Sequence, residues 1–487
     1  MSEQEHTITK GKALSGASTL FFTQLIGFGV YFLSQRIVLS TLTKEENGSL
    51  FLVQFFASTA FGFLVDMGLS NIAIRELIKR PDDREQIIGS VFWIRVVGSV
   101  LATLTVIGLA WYRIPDSFTL ALCIALYINF SGRNFMLRNT FELRFRQVLQ
   151  FRKLSLLVVS EFALYFVLLW FNKTHLSPTL IAILLLASSV PGTVYLIFTN
   201  RQYSIFLAPL HRAEIKTLLK EVQPIYIMMI LQQVHVFLDT WVLQHYAPSL
   251  SEVGVFGAGG NMLLIANVFL TSATSILIPL ISNSMNSERE HTKRLITQSM
   301  NTVQSAVILI SVVGSVLTPF IIYIISNNKY ADNVIEFRLQ FLSSCFITFA
   351  QLGVQIATAV RAQKSIVYAG IALVIGSITA DFILIPMLFT KGIILSKIWS
   401  NFLSILVFLW FVRDWISVQQ SVSFILRYVG VIVTVVFGIE FIQQQCTMLP
   451  ALGVAIPFTV IVLFAFRMIT KNEVMLLQQS VQRILKR

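Results

Sequence analysis

One stretch constrains the fold of this chain more than any other. Residues 48–75 read GSLFLVQFFASTAFGFLVDMGLSNIAIR, and Asp66 is the single charged residue in them before Arg75. An apolar run of about twenty residues has the length of a helix that crosses the hydrocarbon core of a bilayer. We therefore predict a transmembrane helix here. Asp66 falls in its last turns, and a charge at the bilayer centre costs roughly 2.5–3.5 kcal/mol.

Similar apolar runs recur along the whole chain. Hydrophobic residues make up 55% of the 487 residues and charged residues only 13%, whereas soluble domains carry about 25% charged residues. We predict an all-α polytopic membrane protein with about 14 transmembrane helices joined by short loops. The predicted spans are 14–38, 50–73, 87–111, 118–137, 154–171, 178–198, 223–245, 253–280, 301–326, 339–360, 366–388, 393–412, 424–441 and 450–467.

The distribution of basic residues predicts the orientation. Most of the 37 Lys and Arg residues fall in alternate loops, beginning with the N-terminal segment. Cytoplasmic loops carry this excess, so we predict a multi-pass protein of the cell (inner, cytoplasmic) membrane with both termini in the cytoplasm. The net charge of +13 is spread over these loops rather than gathered in one patch. We therefore expect no nucleic-acid partner.

Two hairpins in the chain resemble each other. Glu46-Asn47-Gly48 precedes one apolar helix and Glu252-Val253-Gly254 precedes another, at an offset of 206 residues. Helices before these loops carry polar stripes, namely Gln24, Tyr31 and Gln35 in the first and Gln232, His235 and Asp239 in the second. An even number of spans separates the copies, which predicts two pseudo-symmetric six-helix bundles related by an axis along the membrane normal.

The repeat predicts four segments. They are an N-terminal six-helix lobe (1–210), a cytoplasmic amphipathic linker (211–222), a C-terminal six-helix lobe (223–420), and two extra transmembrane helices with a basic amphipathic tail (421–487). Apolar residues at helical spacing in the linker and in the tail suit helices that lie on the inner leaflet. A solvated helix packed on protein is the alternative for both.

The opening hairpin resembles the Wzx-type polysaccharide flippases. The resemblance lies in the short loop Glu46-x-Gly48-x-x-Phe51, in Asp66-Met67-Gly68-Leu69 and in Ile74-Arg75-Glu76-Leu77. These flippases belong to the multidrug/oligosaccharidyl-lipid/polysaccharide exporter superfamily. The resemblance implies a transporter that flips undecaprenyl-pyrophosphate-linked oligosaccharide, such as an O-antigen repeat unit, from the inner to the outer leaflet by alternating access. Membrane lipids, a coupling ion (H+ or Na+) and contact with polysaccharide polymerase machinery are the partners it implies.

A pyrophosphate head group needs cations in a hydrated cavity. Asp66, Arg95, Arg133 and Glu161 lie at similar predicted depth in the first lobe. Either the arginines face the cavity and bind the phosphates, with the acids tuning them, or all four residues form a neutral network that holds the bundle together. Arg133 has a third interpretation, in which its side chain reaches the inner head groups.

Further charges lie in the other predicted spans. Asp239, with His235 one turn earlier, is a candidate ion-coupling site or part of a hydrogen-bonded polar stripe. Asp381 and Lys397 are candidates for an ion pair between adjacent helices. Arg36, next to Gln35, is either an anchor at the membrane interface or a substrate-contacting gate residue.

Four amides complete the candidate substrate site. Gln24, Gln35, Gln232 and Asn261 sit in otherwise apolar spans, where amides either join helices or bind sugars. The three cysteines are scattered, so they predict neither a disulfide framework nor a metal site. We expect no cofactor and no metal.

Two other functions fit an apolar chain of this kind. A cation-coupled multidrug exporter of the same superfamily should use acids without intramembrane arginines. A membrane enzyme, such as a polysaccharide polymerase or ligase, should carry a large outer loop or a catalytic cluster. The sequence contains neither a nucleophile motif nor a nucleotide-binding loop, so we expect a transporter rather than an enzyme.

Overall fold

The computed structural model describes residues 26–66, 68–80, 82–132, 136–147, 151–199, 211–261, 263, 289–360, 362–413, 415, 418–445 and 448–466. In these residues the regular elements are helices. The helices are α1 (26–41), α2 (Lys44–Phe61), α3 (Leu69–Lys79), α4 (Arg84–Arg113), α5 (Phe118–Phe130), α6 (Leu137–Gln147), α7 (Phe151–Asn172), α8 (Pro178–Thr199), α9 (Arg212–Tyr246), α10 (250–261), α11 (Arg289–Ser326), α12 (Val334–Ala359), α13 (Gln363–Leu388), α14 (Thr390–Phe411), α15 (Val418–Gln445) and α16 (Met448–Ala465).

The all-α membrane fold predicted from the sequence is confirmed. Among the described residues, eight helices are long and apolar enough to cross a bilayer, and three shorter apolar helices occur at 118–130, 426–438 and 453–465. The count of fourteen spans stays a prediction. The predicted fourth span, 118–137, is wrong at its end, because the helix stops at Phe130 and Ser131 adopts an extended conformation.

The second predicted span is broken before its end. After α2, residues Gly62–Asp66 form a π-helical turn, and Gly68 then adopts a left-handed conformation (φ 74°) before α3 begins. Glycine reaches such a φ without the steric penalty that a Cβ brings. Gly68 therefore separates the π-helical turn from α3, and Asp66 lies in the interrupted part of the predicted span.

The start of α2 is set by a capping box. The Thr43 side chain accepts a hydrogen bond from the Glu46 backbone, and the Thr43 backbone N–H donates to the Glu46 carboxylate over 2.8 Å. The second hairpin carries the related pattern Ser249-x-x-Glu252, and the Ser249 hydroxyl accepts a hydrogen bond from the Ser251 backbone N–H. Capping fixes the residue at which each helix begins, and hence the positions of Gly48 and Gly254.

By internal contacts the chain divides into two compact units, residues 1–261 and 262–487. In the first unit, apolar side chains of α3, α4, α6, α7, α8 and α9 form one core cluster, which includes Ile72, Val91, Phe141, Leu218 and Val222. Leu218 and Val222 belong to the predicted linker 211–222. In α9 that segment is continuous with the predicted seventh span, and Leu218 and Val222 pack on protein, as in the alternative to the membrane surface.

The second unit contains α11 to α16. Close helix packing in it is made at glycines: a Cβ on Gly376 of α13 would approach Ser400 Cα of α14 to 2.9 Å, and one on Gly438 of α15 would meet the ring of Phe458 on α16. Small residues let helix backbones approach in this way where lipid provides no hydrophobic driving force.

Aromatic side chains flank cations at the ends of two helices of the first unit. Arg113 lies 5.0 Å from the centre of the Tyr112 ring at the end of α4, and Lys173 lies 4.8 Å from the Trp170 ring at the end of α7. Tyr112 and Trp170 are both exposed. Amphipathic rings beside cations are typical of the level where lipid head groups begin.

Candidate functional site

The first candidate cluster forms where the broken second span meets α4. Arg95 of α4 is fully buried, and its guanidinium donates to Ser70 Oγ over 2.6 Å and to Thr140 Oγ1 over 3.1 Å. The Asp66 carboxylate lies 3.9 Å from the same guanidinium. Asn139 of α6 also donates to Ser70 Oγ. The structure thus brings Asp66 and Arg95 together, as the sequence suggested, and adds polar partners from α3 and α6.

Backbone packing holds this cluster in place. A Cβ on Gly98 would clash with the Leu64 carbonyl in the π-helical turn, so α4 rests directly on the broken backbone. From the other side, a Cβ on Gly62 would lie 2.6 Å from the Gln233 amide nitrogen of α9. π-helical turns recur at functional sites because they interrupt the regular hydrogen-bond ladder. Asp66, 18% exposed at its side chain, is the member of the cluster that reaches beyond the packed interior.

The second cluster centres on Arg138 of α6, which sequence reasoning missed. Its fully buried guanidinium is hydrogen-bonded to the Glu161 carboxylate, lies 3.2 Å from Glu142, and donates to the Phe130 carbonyl over 3.2 Å. The Phe130 carbonyl also accepts from Thr193 over 2.6 Å. The sequence predicts a loop at this position, between the spans 118–137 and 154–171, and the i, i+4 spacing of Arg138 and Glu142 was the available signal.

A small cavity adjoins Glu161 and has room for about one water molecule. The lining consists of Tyr31, Tyr127, Ser131, Glu161, Phe162, Tyr165, Leu185 and Ser188. The Glu161 carboxylate also accepts the backbone N–H of Gly132 over 3.2 Å. The residues that line the cavity bring one carboxylate and several hydroxyl-bearing side chains together in the first unit.

Several predicted substrate-binding residues lie apart from these clusters. Gln35 is buried and accepts a hydrogen bond from Asn261 of α10 over 3.3 Å, so these two amides join helices in this conformation. Arg36 and Gln232 are exposed. Gln24 and Arg133 lie outside the described residues.

The remaining predicted charges are buried or half-buried in their helices. His235 Nδ1 lies 3.4 Å from Asp239 Oδ1 on α9, and both side chains are buried. In the second unit, Asp381 is fully buried and accepts a hydrogen bond from Ser377 over 2.6 Å, while the Lys397 carbonyl accepts from Asn401. The Asp381–Lys397 ion pair stays a prediction. Within the described residues, no group of His, Cys, Asp and Glu is placed to hold a metal ion.

Comparison with solved structures shows which fold this is. The chain is similar to lipid II flippase MurJ in its inward closed conformation, with a TM-score of 0.66 at 14% identity over 93% of this chain and 98% of that one. It is also similar to a MATE-family multidrug resistance transporter of the MOP superfamily in an inward-facing conformation (TM-score 0.62, 16% identity, 81% of this chain and 96% of that one).

A third similar structure is a MOP-superfamily transporter from Pyrococcus furiosus with a binding pocket of reversed polarity (TM-score 0.58, 15% identity, 83% of this chain and 96% of that one). No curated protein matches the sequence. The model of a protein family described as polysaccharide biosynthesis protein matches residues 12–285. The chain therefore belongs to this polysaccharide biosynthesis family, and its fold is that of the MOP-superfamily flippases and exporters.

Proposed function

We propose that this protein flips undecaprenyl-pyrophosphate-linked oligosaccharide from the inner to the outer leaflet of the cytoplasmic membrane by alternating access. The observation that carries the proposal is the match of residues 12–285 to the polysaccharide biosynthesis family. The buried guanidinium group of Arg95 supports an anionic cargo over a cationic one. A repeat unit of O-antigen or of another surface polysaccharide has this chemistry.

Arg95 is the candidate phosphate contact among the described residues. Its two hydroxyl partners lie at hydrogen-bond distance, whereas Asp66 lies 3.9 Å away, at the outer limit of an ion pair. In this proposal a phosphate oxygen takes the place of the Asp66 carboxylate, which keeps the charge balance. Arg36, Arg133, Gln24, Gln35, Gln232 and Asn261 are the further residues proposed to contact the head group.

The experiment that tests the cargo is reconstitution in proteoliposomes. Fluorescent lipid-linked oligosaccharide and a cationic dye are supplied in parallel, and the movement of each across the bilayer is measured. Movement of the oligosaccharide supports the proposal. The solved MATE transporter with the same fold makes multidrug export the alternative, and movement of the dye alone would establish that alternative.

A double variant tests whether Arg95 contacts the cargo. Asp66→Asn with Arg95→Gln removes both charges, so the interior no longer holds an isolated charge. We expect this protein to fold and to remain inactive, because a neutral amide binds phosphate much more weakly than a guanidinium does. Recovered transport in the double variant would assign the pair a purely structural role.

We also propose that transport is coupled to H+ or Na+. The buried His235–Asp239 pair supports this step, because an imidazole and a carboxylate at this distance can share a proton or a cation. Glu161, Asp381 and Lys397 are the other candidates for the coupling network. Asp239→Asn should change how transport depends on a pH or sodium gradient, and an unchanged dependence would remove Asp239 from the coupling site.

A further inference from the structure

The short helix α6 is polar in sequence but buried in the fold. Its residues 138–143 read RNTFEL, and all six side chains are buried, Arg138 and Leu143 completely. Charged and amide side chains are rarely buried to this extent unless they are paired. In the first unit α6 contacts α3, α4, α5, α7 and α8. Its polar side chains must therefore find their hydrogen-bond partners on these neighbours.

One side of α6 belongs to the charge cluster around Arg138. The Arg138 guanidinium is hydrogen-bonded to the Glu161 carboxylate of α7. A Cβ on Gly132 would lie 2.8 Å from Arg138 Nη2. A Cβ on Gly192 of α8 would clash with the Glu161 carboxylate. Because glycine backbones enclose the pair so closely, it cannot shift without displacing either α6 or these backbones.

Another side of α6 holds the Arg95 cluster. Asn139 donates to Ser70 Oγ over 2.6 Å, and Thr140 Oγ1 accepts from the Arg95 guanidinium over 3.1 Å. Ser70 Oγ also accepts from Arg95 over 2.6 Å, so Asn139 and Arg95 share one hydroxyl. Among the described residues, no donor lies at hydrogen-bond distance from the buried Asn139 Oδ1. The contact with Ser70 therefore fixes this amide.

The two clusters meet on consecutive residues of one helix. Arg138 belongs to the first cluster, and Asn139 and Thr140 belong to the second. Backbone hydrogen bonds fix neighbouring residues of a helix relative to each other. A displacement of Arg138 must therefore displace the two side chains that hold Ser70 and Arg95.

We propose that α6 couples the Arg138–Glu161 pair to Arg95, and that Asn139 is the positioning residue, acting through Ser70. The consequence for transport rests on the proposed function, in which Arg95 is the candidate phosphate contact. A change in how Glu161 pairs with Arg138 then alters how Arg95 is presented to the cargo. Such coupling is a free energy between two sites, and it is measured by changing each site alone and both together.

Hydrogen exchange tests the coupling without any cargo. Glu161→Gln weakens the pairing of Arg138 with little change in side-chain size, and the backbone amides of α3, which carries Ser70, report the effect. We expect their exchange in the detergent-solubilised protein to rise about fivefold, the factor that the loss of one hydrogen bond is worth. Asn139→Leu should give a similar rise. Adding Glu161→Gln to it should raise exchange no further, because the link is already broken.

The matched control lies beside Glu161. Ser160 of α7 is exposed and donates to the Leu157 carbonyl of its own helix, so Ser160→Ala should leave α3 exchange unchanged. Amides at the start of α2, in the same unit, should exchange alike in all variants. Glu142→Gln alters the same guanidinium and gives the same test if Glu161→Gln does not fold.

Three outcomes would overturn the coupling. The first is unchanged α3 exchange in the variants that fold. The second is an equal rise in α2 and α3, which would show a general loss of stability. The third is an α3 effect that multiplies when Asn139→Leu and Glu161→Gln are combined, since independent sites give that result.

Transport provides a second measurement. Asn139→Leu should raise the apparent KM for lipid-linked oligosaccharide in proteoliposomes about fivefold and change the maximal rate less, because it shifts a binding contact. A lower maximal rate with unchanged KM would overturn the positioning role of Asn139. If wild-type protein moves no oligosaccharide while α3 exchange responds as expected, the proposed cargo fails and the coupling stands.

Discussion

At the scale of single residues, the two buried arginines of the first unit differ in how visible they are in the sequence. Arg95 interrupts an apolar span, so its position alone predicts a functional or structural role. Arg138 lies in a stretch with Arg144 and Arg146 that reads as an ordinary cytoplasmic loop. Only the fold shows that α6 turns Arg138 inward to Glu161, because the sequence predicts a loop between the spans 118–137 and 154–171, where α6 forms.

Arg138→Gln should destabilise the protein strongly. Removing one partner of a buried ion pair costs on the order of 3–5 kcal/mol, because the remaining charge stays buried without its counter-charge. We expect a clearly lower thermal unfolding temperature in detergent, measured by fluorescence-detected size exclusion. Arg138→Gln combined with Glu161→Gln should recover part of the loss. As a control, Arg36→Gln changes an exposed arginine and should leave the unfolding temperature unchanged; equal losses in both single variants would contradict the assignment.

At the scale of helices, the break in the second predicted span is the feature that the sequence predicted least well. Its apolar run predicts one continuous helix over 50–73, and the long uninterrupted stretch gave no reason to place a π-helical turn at Gly62–Asp66. The left-handed conformation of Gly68 could be predicted, because the residue after Asp66-Met67 is a glycine. The contact of Gly98 with the Leu64 carbonyl was not, because it depends on how α4 crosses the break.

Two glycines of α4 allow a matched test of this crossing. Gly98→Ala places a methyl group against the Leu64 carbonyl, whereas Gly108→Ala meets nothing within 4 Å in the described part of the chain. Both changes gain the same helix propensity, about 1 kcal/mol. We expect Gly108→Ala to keep or raise the unfolding temperature and Gly98→Ala to lower it by several degrees. A Gly98→Ala protein as stable as Gly108→Ala would show that α4 does not rest on the break.

At the scale of the whole molecule, the sequence predicted the class of fold well and individual contacts poorly. Hydropathy alone predicts helices such as α7, α8 and α14 to within a few residues, because bilayer thickness fixes their length. The start of α9 was predicted as a separate linker, since Leu218 and Val222 suit a membrane surface as well as a protein core. Their partners on α3, α4 and α6 decide between these environments, and those partners are distant in sequence.

The predicted topology can be tested with two loop residues. Asp82 and Asp116 are both exposed and lie in successive loops, before and after α4. In a variant without native cysteines, Asp116→Cys should react with an impermeant maleimide on intact cells, and Asp82→Cys should react only after the membrane is permeabilised. The reverse pattern would invert the orientation that the basic residues predict.

An ion-pair cluster ties the loop after α3 to the start of α9. Arg80 donates to Glu214 over 2.7 and 3.1 Å and also lies 3.3 Å from Glu76. The hydrogen-bonded Glu214 carboxylate raises the pKa of Arg80 above its ordinary value, so this arginine stays charged throughout the accessible pH range.

A double-mutant cycle of Arg80→Gln and Glu214→Gln should give a coupling of about 0.2–1 kcal/mol, because the arginine is partly exposed. High salt should reduce this coupling. The local pair of Lys293 and Glu290 joins neighbouring turns of one helix and provides the comparison. The Arg80–Glu214 variant should lower the unfolding temperature more than the Lys293–Glu290 variant. If the two variants lower it equally, Arg80 holds α9 no better than a local surface pair would.

The exposed Tyr112 and Trp170 rings, each beside a cation, have a consequence for the membrane in which this protein works. In the predicted topology, these rings and cations anchor the outer ends of α4 and α7 at the head-group layer. A bilayer with longer acyl chains must thin locally around them or draw the rings out of the head-group layer, at a cost of a fraction of a kcal/mol for each ångström of mismatch. Lipid chain length should therefore change the activity of this protein even when the head groups, the cargo and the ion gradient are held constant.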